Sequence, residues 1–239
     1  MAEMLQVYES TIPISVKPLS FGRNLPHWQV ALVMVGFPTL YLVNSLTPWM
    51  FGMFVQGDRV WYAAFWWSIL VLHWSTLAVT LAMFFRAGGR LPDIGLKLTL
   101  TNGLMCLAGL AAWAALLLWA RTLWPAAREP PTGWQIVYPF TQAERWLVLC
   151  GACTAGICEE IIYRGFAIRA LQGRSWLTWQ AVLLAGTSFA LIHGVTGILL
   201  LPVFIAVAIA FSMFYLWRGN LLPVIVLHIA WDMMMVVAW

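Results

Sequence analysis

The chain has 239 residues, 62% of them hydrophobic and only 9% charged, with a formal net charge of +4. A mean hydropathy of +0.84 and several apolar runs of about 20 residues place it in a bilayer, since that is the length a spanning helix needs. Nucleic-acid binding is not expected, because the basic residues are scattered through short loops with no run that would grip a polyanion, and lipid headgroups account for the excess.

In chain order, residues 1–27 contain Glu3, Glu9, Lys17, Pro13 and Pro18 and no continuous apolar core. They lack the layout of a secretory signal and are read as a cytoplasmic segment, with the first spanning helix expected to act as the insertion signal. Residues 28–239 are read as a single transmembrane domain. Its apolar windows run from about Trp28 to Phe54, Val60 to Phe85, Leu98 to Ala120, Trp146 to Leu171, Trp176 to His193, Ile198 to Trp217 and Leu221 to Trp239. The expected fold is therefore an all-α, polytopic helical bundle of about seven spans, within a range of six to eight.

The longest connections hold the breakers Gly88, Gly89 and Pro92, and Pro125, Pro130 and Pro131, and neither is long enough to fold alone. With the N-terminus inside, Lys17, Arg23, Arg86, Arg90, Lys97, Arg169, Arg174 and Arg218 face the cytoplasm, against Arg59, Arg121, Arg128 and Arg145 outside. That asymmetry favours N-in, C-out. Thr141 and Glu144 have the spacing of a capping box and mark the start of the fourth helix. Cys150 and Cys153 form a C-x-x-C, yet among Gly151, Ala152, Ala155 and Gly156 they read as a small-residue packing face rather than a metal or redox site. Trp66, Trp67 and Trp74 fall mid-span and are read as packing residues.

Charge is what this sequence avoids, so its intramembrane ionisable residues stand out. A charged residue at mid-bilayer costs about 2.5 to 3.5 kcal/mol on insertion scales and must be offset by a partner or kept for function. The fourth helix carries Glu159, Glu160 and Arg164, the fifth ends at His193, and the seventh carries His228 and Asp232. Glu160 and Arg164 are four apart, acid first, and can neutralise each other on one face. Glu159 is rotated about 100° away and has no cation on its own helix. A dry carboxylate without such a partner suits a general base that takes a proton from water. Glu159 is thus the candidate catalytic group, with Glu160 and Arg164 as its scaffold. His228 and Asp232 share one helical face, as do Phe189 and His193, and Gly165 would let another helix approach closely. His27 is placed at the interface, and His73 is read as a core or lipid-facing residue outside this cluster.

Three ordered motifs carry a family resemblance. "EEIIYRG" (Glu159 to Gly165) resembles an E-E-x-x-x-R motif, "FALIH" (Phe189 to His193) an F-x-x-x-H motif, and "HIAWD" (His228 to Asp232) an H-x-x-x-N/D motif. All three are similar to those of the CPBP family of intramembrane proteases, the CAAX protease and bacteriocin-processing or Abi family, over residues 141–235. The resemblance implies an endopeptidase that cleaves a membrane-associated peptide, either a prenylated CAAX tail or a leader. It gives Glu159 the activation of water, His193 a supporting role, and His228 with Asp232 the stabilisation of the oxyanion. Asp232 stands where the best-described members have Asn. An ionised carboxylate would repel an oxyanion, so Asp232 is either protonated or orients His228.

Two histidines and a glutamate also match the ligand set of catalytic zinc. There is no H-E-x-x-H, and the expectation is no metal and no cofactor, with zinc as the alternative. The competing functional classes are a non-cleaving membrane immunity or scaffold protein and a proton-coupled transporter, although the polar groups lie in one half of the chain rather than in paired broken helices. Expected partners are membrane lipids and a tethered or prenylated peptide. The expected location is a bacterial plasma membrane, and the sequence does not specify an oligomeric state. One geometric difficulty remains: in straight, flush helices His193, Glu159 and His228 lie at different depths. Either the fifth span starts later than drawn, or Gly186, Gly194 and Gly197 permit a broken segment lining a cavity.

Overall fold

The computed structural model describes residues 20–50, 60–97, 99–123 and 139–237. Lys17, Arg59, Arg128, Pro125, Pro130 and Pro131 and the tail of the first window lie outside them. A short α1, Ser20–Asn24, precedes α2, residues 27–50, which passes through a π-turn at Leu32–Gly36. Then come α3, Val60–Arg86, and α4, Leu100–Leu123, joined through a 3-10 turn at Leu91–Ile94. The continuous α5, Gln142–Gly173, contains a π-helical segment at Glu160–Ala167. Finally α6, Thr178–Leu191, α7, Leu201–Arg218, and α8, Leu222–Val237, complete the bundle. No strand occurs among the described residues.

Each of the seven apolar windows corresponds to a helix. Four are long and apolar enough to cross a membrane: His27–Leu46, Tyr62–Arg86, Gln142–Gly173 and Gly197–Arg218. Leu100–Leu116, Thr178–Leu191 and Leu222–Met233 are shorter apolar helices. The protein is an all-helical integral membrane protein, and α5 is its central element, packed by α3, α6 and α8.

The start of α5 is fixed by the expected capping box. The Glu144 N–H donates to Thr141 Oγ1 at 3.2 Å, and the Thr141 N–H donates to Glu144 Oε2 at 3.1 Å. Small residues along α5 set its distance to two neighbours. A Cβ on Gly151 would lie 2.6 Å from the Trp66 ring, and one on Gly156 would lie 2.5 Å from Ile229 Cγ1 and 3.1 Å from the Ile229 nitrogen. The Cys150 and Cys153 thiols are free and flank this packing face. Trp66 is a packing residue as expected, but Trp67 is 60% exposed. Trp67 points away from the bundle, where lipid rather than protein would surround it.

The depth difficulty disappears because the helices are not flush. The loop before α8 sinks into the bundle: the Leu221 N–H donates to the Gly95 carbonyl at 2.8 Å, and a Cβ on Gly165 would lie 3.2 Å from Leu221 and 3.3 Å from Ile94. Thus α8 begins beside Gly165, not at the end of α5, and His228 lies about seven residues on, level with Glu159 about six residues back along the antiparallel α5. At the other junction, Gln172 Nε2 donates to Thr178 Oγ1 at 3.1 Å. From there to His193 along α6 is roughly 22 Å, and back to Glu159 along α5 roughly 20 Å, at 1.5 Å per residue. No break occurs at Gly186, which lies within the continuous α6 and packs closely on α7, its added Cβ 3.3 Å from Ala208. The chain does break after α6, at Gly194 with φ +67°, and the irregular backbone is tied to α2, the Val195 N–H donating to Ser45 Oγ at 3.1 Å.

Candidate active site

Glu159 ends the regular part of α5, and Glu160 opens the π-helical segment that continues through Arg164 to Ala167. π-helical turns recur at functional sites because they re-aim side chains that a regular helix would hold at fixed angles. Glu160 and Arg164 form the expected ion pair at 3.0 Å, and both are almost fully buried. The guanidinium lies 4.1 Å from the centroid of the Phe189 ring and 5.8 Å from that of Phe211. Its charge is therefore held by one carboxylate and two ring faces.

Glu160 has a second partner. His228 Nδ1 lies 2.7 Å from Glu160 Oε1, well within hydrogen-bond distance. With that nitrogen occupied, His228 Nε2 is aimed between Glu159 Oε2 at 3.7 Å and Asp232 Oδ2 at 3.6 Å. Both separations exceed a direct hydrogen bond. Asp232 is the most accessible of these acids, its side chain 31% exposed against 7% for Glu159. The sequence offers Asp232 as the group that orients His228, but in the structure Glu160 makes the short contact to that ring. Glu160 is thus more than a counter-ion to Arg164.

His193 follows α6 directly. Its ring stacks on Phe204 at 3.8 Å between centroids and 20° between planes, and its Nδ1 is 3.3 Å from the Phe189 carbonyl. Phe189 presents its edge or face to Tyr163, His193 and His228 at 5.8, 5.2 and 5.9 Å. The aromatic wall expected beside one imidazole therefore serves two. Phe189 links the rings of His193 and His228, and His228 faces Glu159, so the three motifs converge on one centre.

The sequence reading is corrected at His73. It is neither lipid-facing nor isolated: α3 carries it into the bundle at 4% exposure, and its Nε2 lies 2.8 Å from Glu159 Oε1. Glu159 has no cation on its own helix, but it has an imidazole from another. A lone histidine in an apolar run has no spacing partner, so periodicity could not attach it to the cluster. The general rule that intramembrane ionisable residues face the bundle interior was the one available signal. His27 lies at the exposed end of the bundle, where Arg174 reaches it at 2.9 Å and also donates to the Leu25 carbonyl.

Among the described residues no group of three His, Cys, Asp or Glu side chains is arranged to hold a metal ion. His73 Nε2 and His228 Nδ1 are instead directed at glutamates. The described residues therefore present no preformed zinc site.

The site is thus a buried cluster of acids and histidines inside a helical membrane protein. Residues 141–234 match the family model described as Rce1-like, type II CAAX prenyl endopeptidase. That part of the chain is similar to an Rce1-like domain, in keeping with the resemblance its three motifs carry. All three motifs lie within the matched residues, and α1 to α4, with His73, lie before them. Neither the curated proteins nor the solved structures give a match to the chain.

Proposed function

We propose that the protein is an intramembrane endopeptidase in which Glu159 activates water for attack on a peptide bond of a membrane-tethered peptide, with a prenylated CAAX tail as the favoured substrate. The observation that carries this reading is the division of labour within one carboxylate. Glu159 Oε1 contacts His73, while Oε2 is buried, makes no hydrogen bond to a described protein group, and faces His228 Nε2. Oε2 is therefore the oxygen suited to take a proton from water.

In the proposed reaction the water oxygen bonds to the scissile carbonyl carbon as its proton passes to Glu159 Oε2. Charge then develops on the carbonyl oxygen, and an N–H at His228 Nε2, with Asp232 beside it in protonated form, is suited to stabilise it. Collapse of this intermediate breaks the C–N bond, and the proton held by Glu159 passes to the leaving amine. His193, fixed by Phe204 and Phe189, supports the water from the far side. The dry setting strengthens each of these electrostatic contacts relative to water.

The test is cleavage of a farnesylated CAAX peptide by purified protein, beside Glu159→Gln and a chelator-treated sample. Glu159→Gln is expected to lower kcat by roughly 100-fold to 10,000-fold, the range for a lost general base, with chelator having no effect. Full cleavage by Glu159→Gln overturns the mechanism, and loss with chelator favours zinc. Failure of the wild type on this peptide, with cleavage of a bacteriocin-type leader, moves the substrate but keeps the enzyme.

A further inference from the structure

We infer that His73 is a positioning residue of this centre, holding the Glu159 carboxylate so that Oε1 is occupied and Oε2 is turned toward His228; this rests on the reading of Glu159 above. His73 lies 86 residues before Glu159 and outside the matched domain. Its ring is fixed at both nitrogens. Nδ1 is 2.8 Å from the Ile69 carbonyl oxygen, and a carbonyl can only accept, so Nδ1 carries a proton. Nε2 is 2.8 Å from Glu159 Oε1.

Two bare acceptors do not approach that closely, so one proton lies between Nε2 and Oε1. For Oε2 to act as a base that proton belongs to the imidazole, and the contact then occupies Oε1 and leaves Oε2 as the reactive face. The Tyr41 ring meets the His73 ring edge-on at 4.9 Å and 87°. The Tyr41 hydroxyl is in turn 3.4 Å from Thr76 Oγ1, one turn along α3. The carboxylate is thus steadied by a side chain that is itself steadied from two sides, the arrangement that sets a catalytic group to within a fraction of an ångström.

A core histidine that merely fills space would affect folding and leave the chemistry of the folded fraction intact. A positioning histidine acts on kcat. We expect His73→Ala to lower kcat roughly 10- to 100-fold, the scale of loss when a catalytic group is misplaced, with KM essentially unchanged. His73→Gln, whose side-chain amide can donate toward Oε1, is expected to recover part of that loss.

A second readout does not need turnover. In protein labelled with 15N-histidine and held in lipid nanodiscs, the His73 Nε2 resonance, assigned from His73→Gln, should be displaced by Glu159→Ala. The Nδ1 resonance, held by the Ile69 carbonyl, should stay. Loss of activity in Glu159→Gln with a normal kcat in folded His73→Ala overturns the role of His73 alone. Retained activity in Glu159→Gln overturns the function instead. If no peptide is cleaved by the wild type, the Nε2 resonance decides: an unmoved signal in Glu159→Ala ends the proposal.

Discussion

Arg164 shows how a cation is held in a place built to exclude it. Its guanidinium is buried among Glu160, Phe189 and Phe211, and the one carboxylate it pairs with also meets His228. Removing one member of a buried ion pair strands the other and costs about 3 to 5 kcal/mol. Arg164→Met is therefore expected to lower the melting temperature in detergent and to reduce cleavage, while Glu160→Gln with Arg164→Met is expected to restore stability without restoring activity, because the second change removes the carboxylate that His228 contacts. Arg164→Lys should fail to substitute, since a compact ammonium does not lie flat on the Phe189 ring. A melting temperature for Arg164→Lys equal to that of wild type would contradict this. At this scale the sequence was highly legible: charges that an apolar run should not contain announce themselves, and their spacing pairs Glu160 with Arg164. The roles of His73 and of Glu160 toward His228 were not legible, because both contacts join different helices and no spacing along the chain records them.

Helix boundaries were likewise legible from apolar windows, the Thr141–Glu144 cap and the glycine breakers, whereas the π-helical segment Glu160–Ala167 was not. Arguments from a 3.6-residue period assume the regular helix they seek to describe. The pairing of α5 with α8 depends on glycines at which the neighbour's backbone comes near. Gly156→Val places a Cβ against the Ile229 backbone, which cannot swing aside as a flexible side-chain tip can. The expected outcome is displacement of α8, loss of the Glu160–His228 contact and a fall in kcat well beyond any fall in thermal stability. Gly109→Val, where an added Cβ meets nothing within 4 Å, is the control and should leave cleavage unchanged. Equal activity of the two variants would show that the α5–α8 register does not set the site.

At the scale of the whole molecule, the elements that carry the described basic residues read as cytoplasmic meet at one end of the bundle. Arg23 lies on α1, which packs against the last turn of α5 near Arg169 and Arg174; the loop after Arg86 meets α1 through Asn24, and Lys97 meets Asn220 beside Arg218. A single basic end is the pattern expected of a cytoplasmic face. In cells with an intact inner membrane, Arg218→Cys is expected to be protected from an impermeant thiol reagent and Arg145→Cys to be labelled, against the parent's background. The reverse pattern would invert the topology. What the sequence could not show at this scale is depth, since a loop's length does not say whether it lies on the surface or, as at Leu221, inside the bundle.

Near that basic end, α1 acts as a stopper. Phe21 is 1% exposed and sits edge-on to Phe84 at 4.9 Å, while Gly22 lies so close to the Ala170 carbonyl and Gly173 that no Cβ would fit. Leu25, Ile94, Phe166, Leu171 and Leu221 are sealed beneath or beside it. The polar centre is therefore closed from that end, and the acid of the cluster that reaches furthest toward the surroundings is Asp232, its side chain 31% exposed.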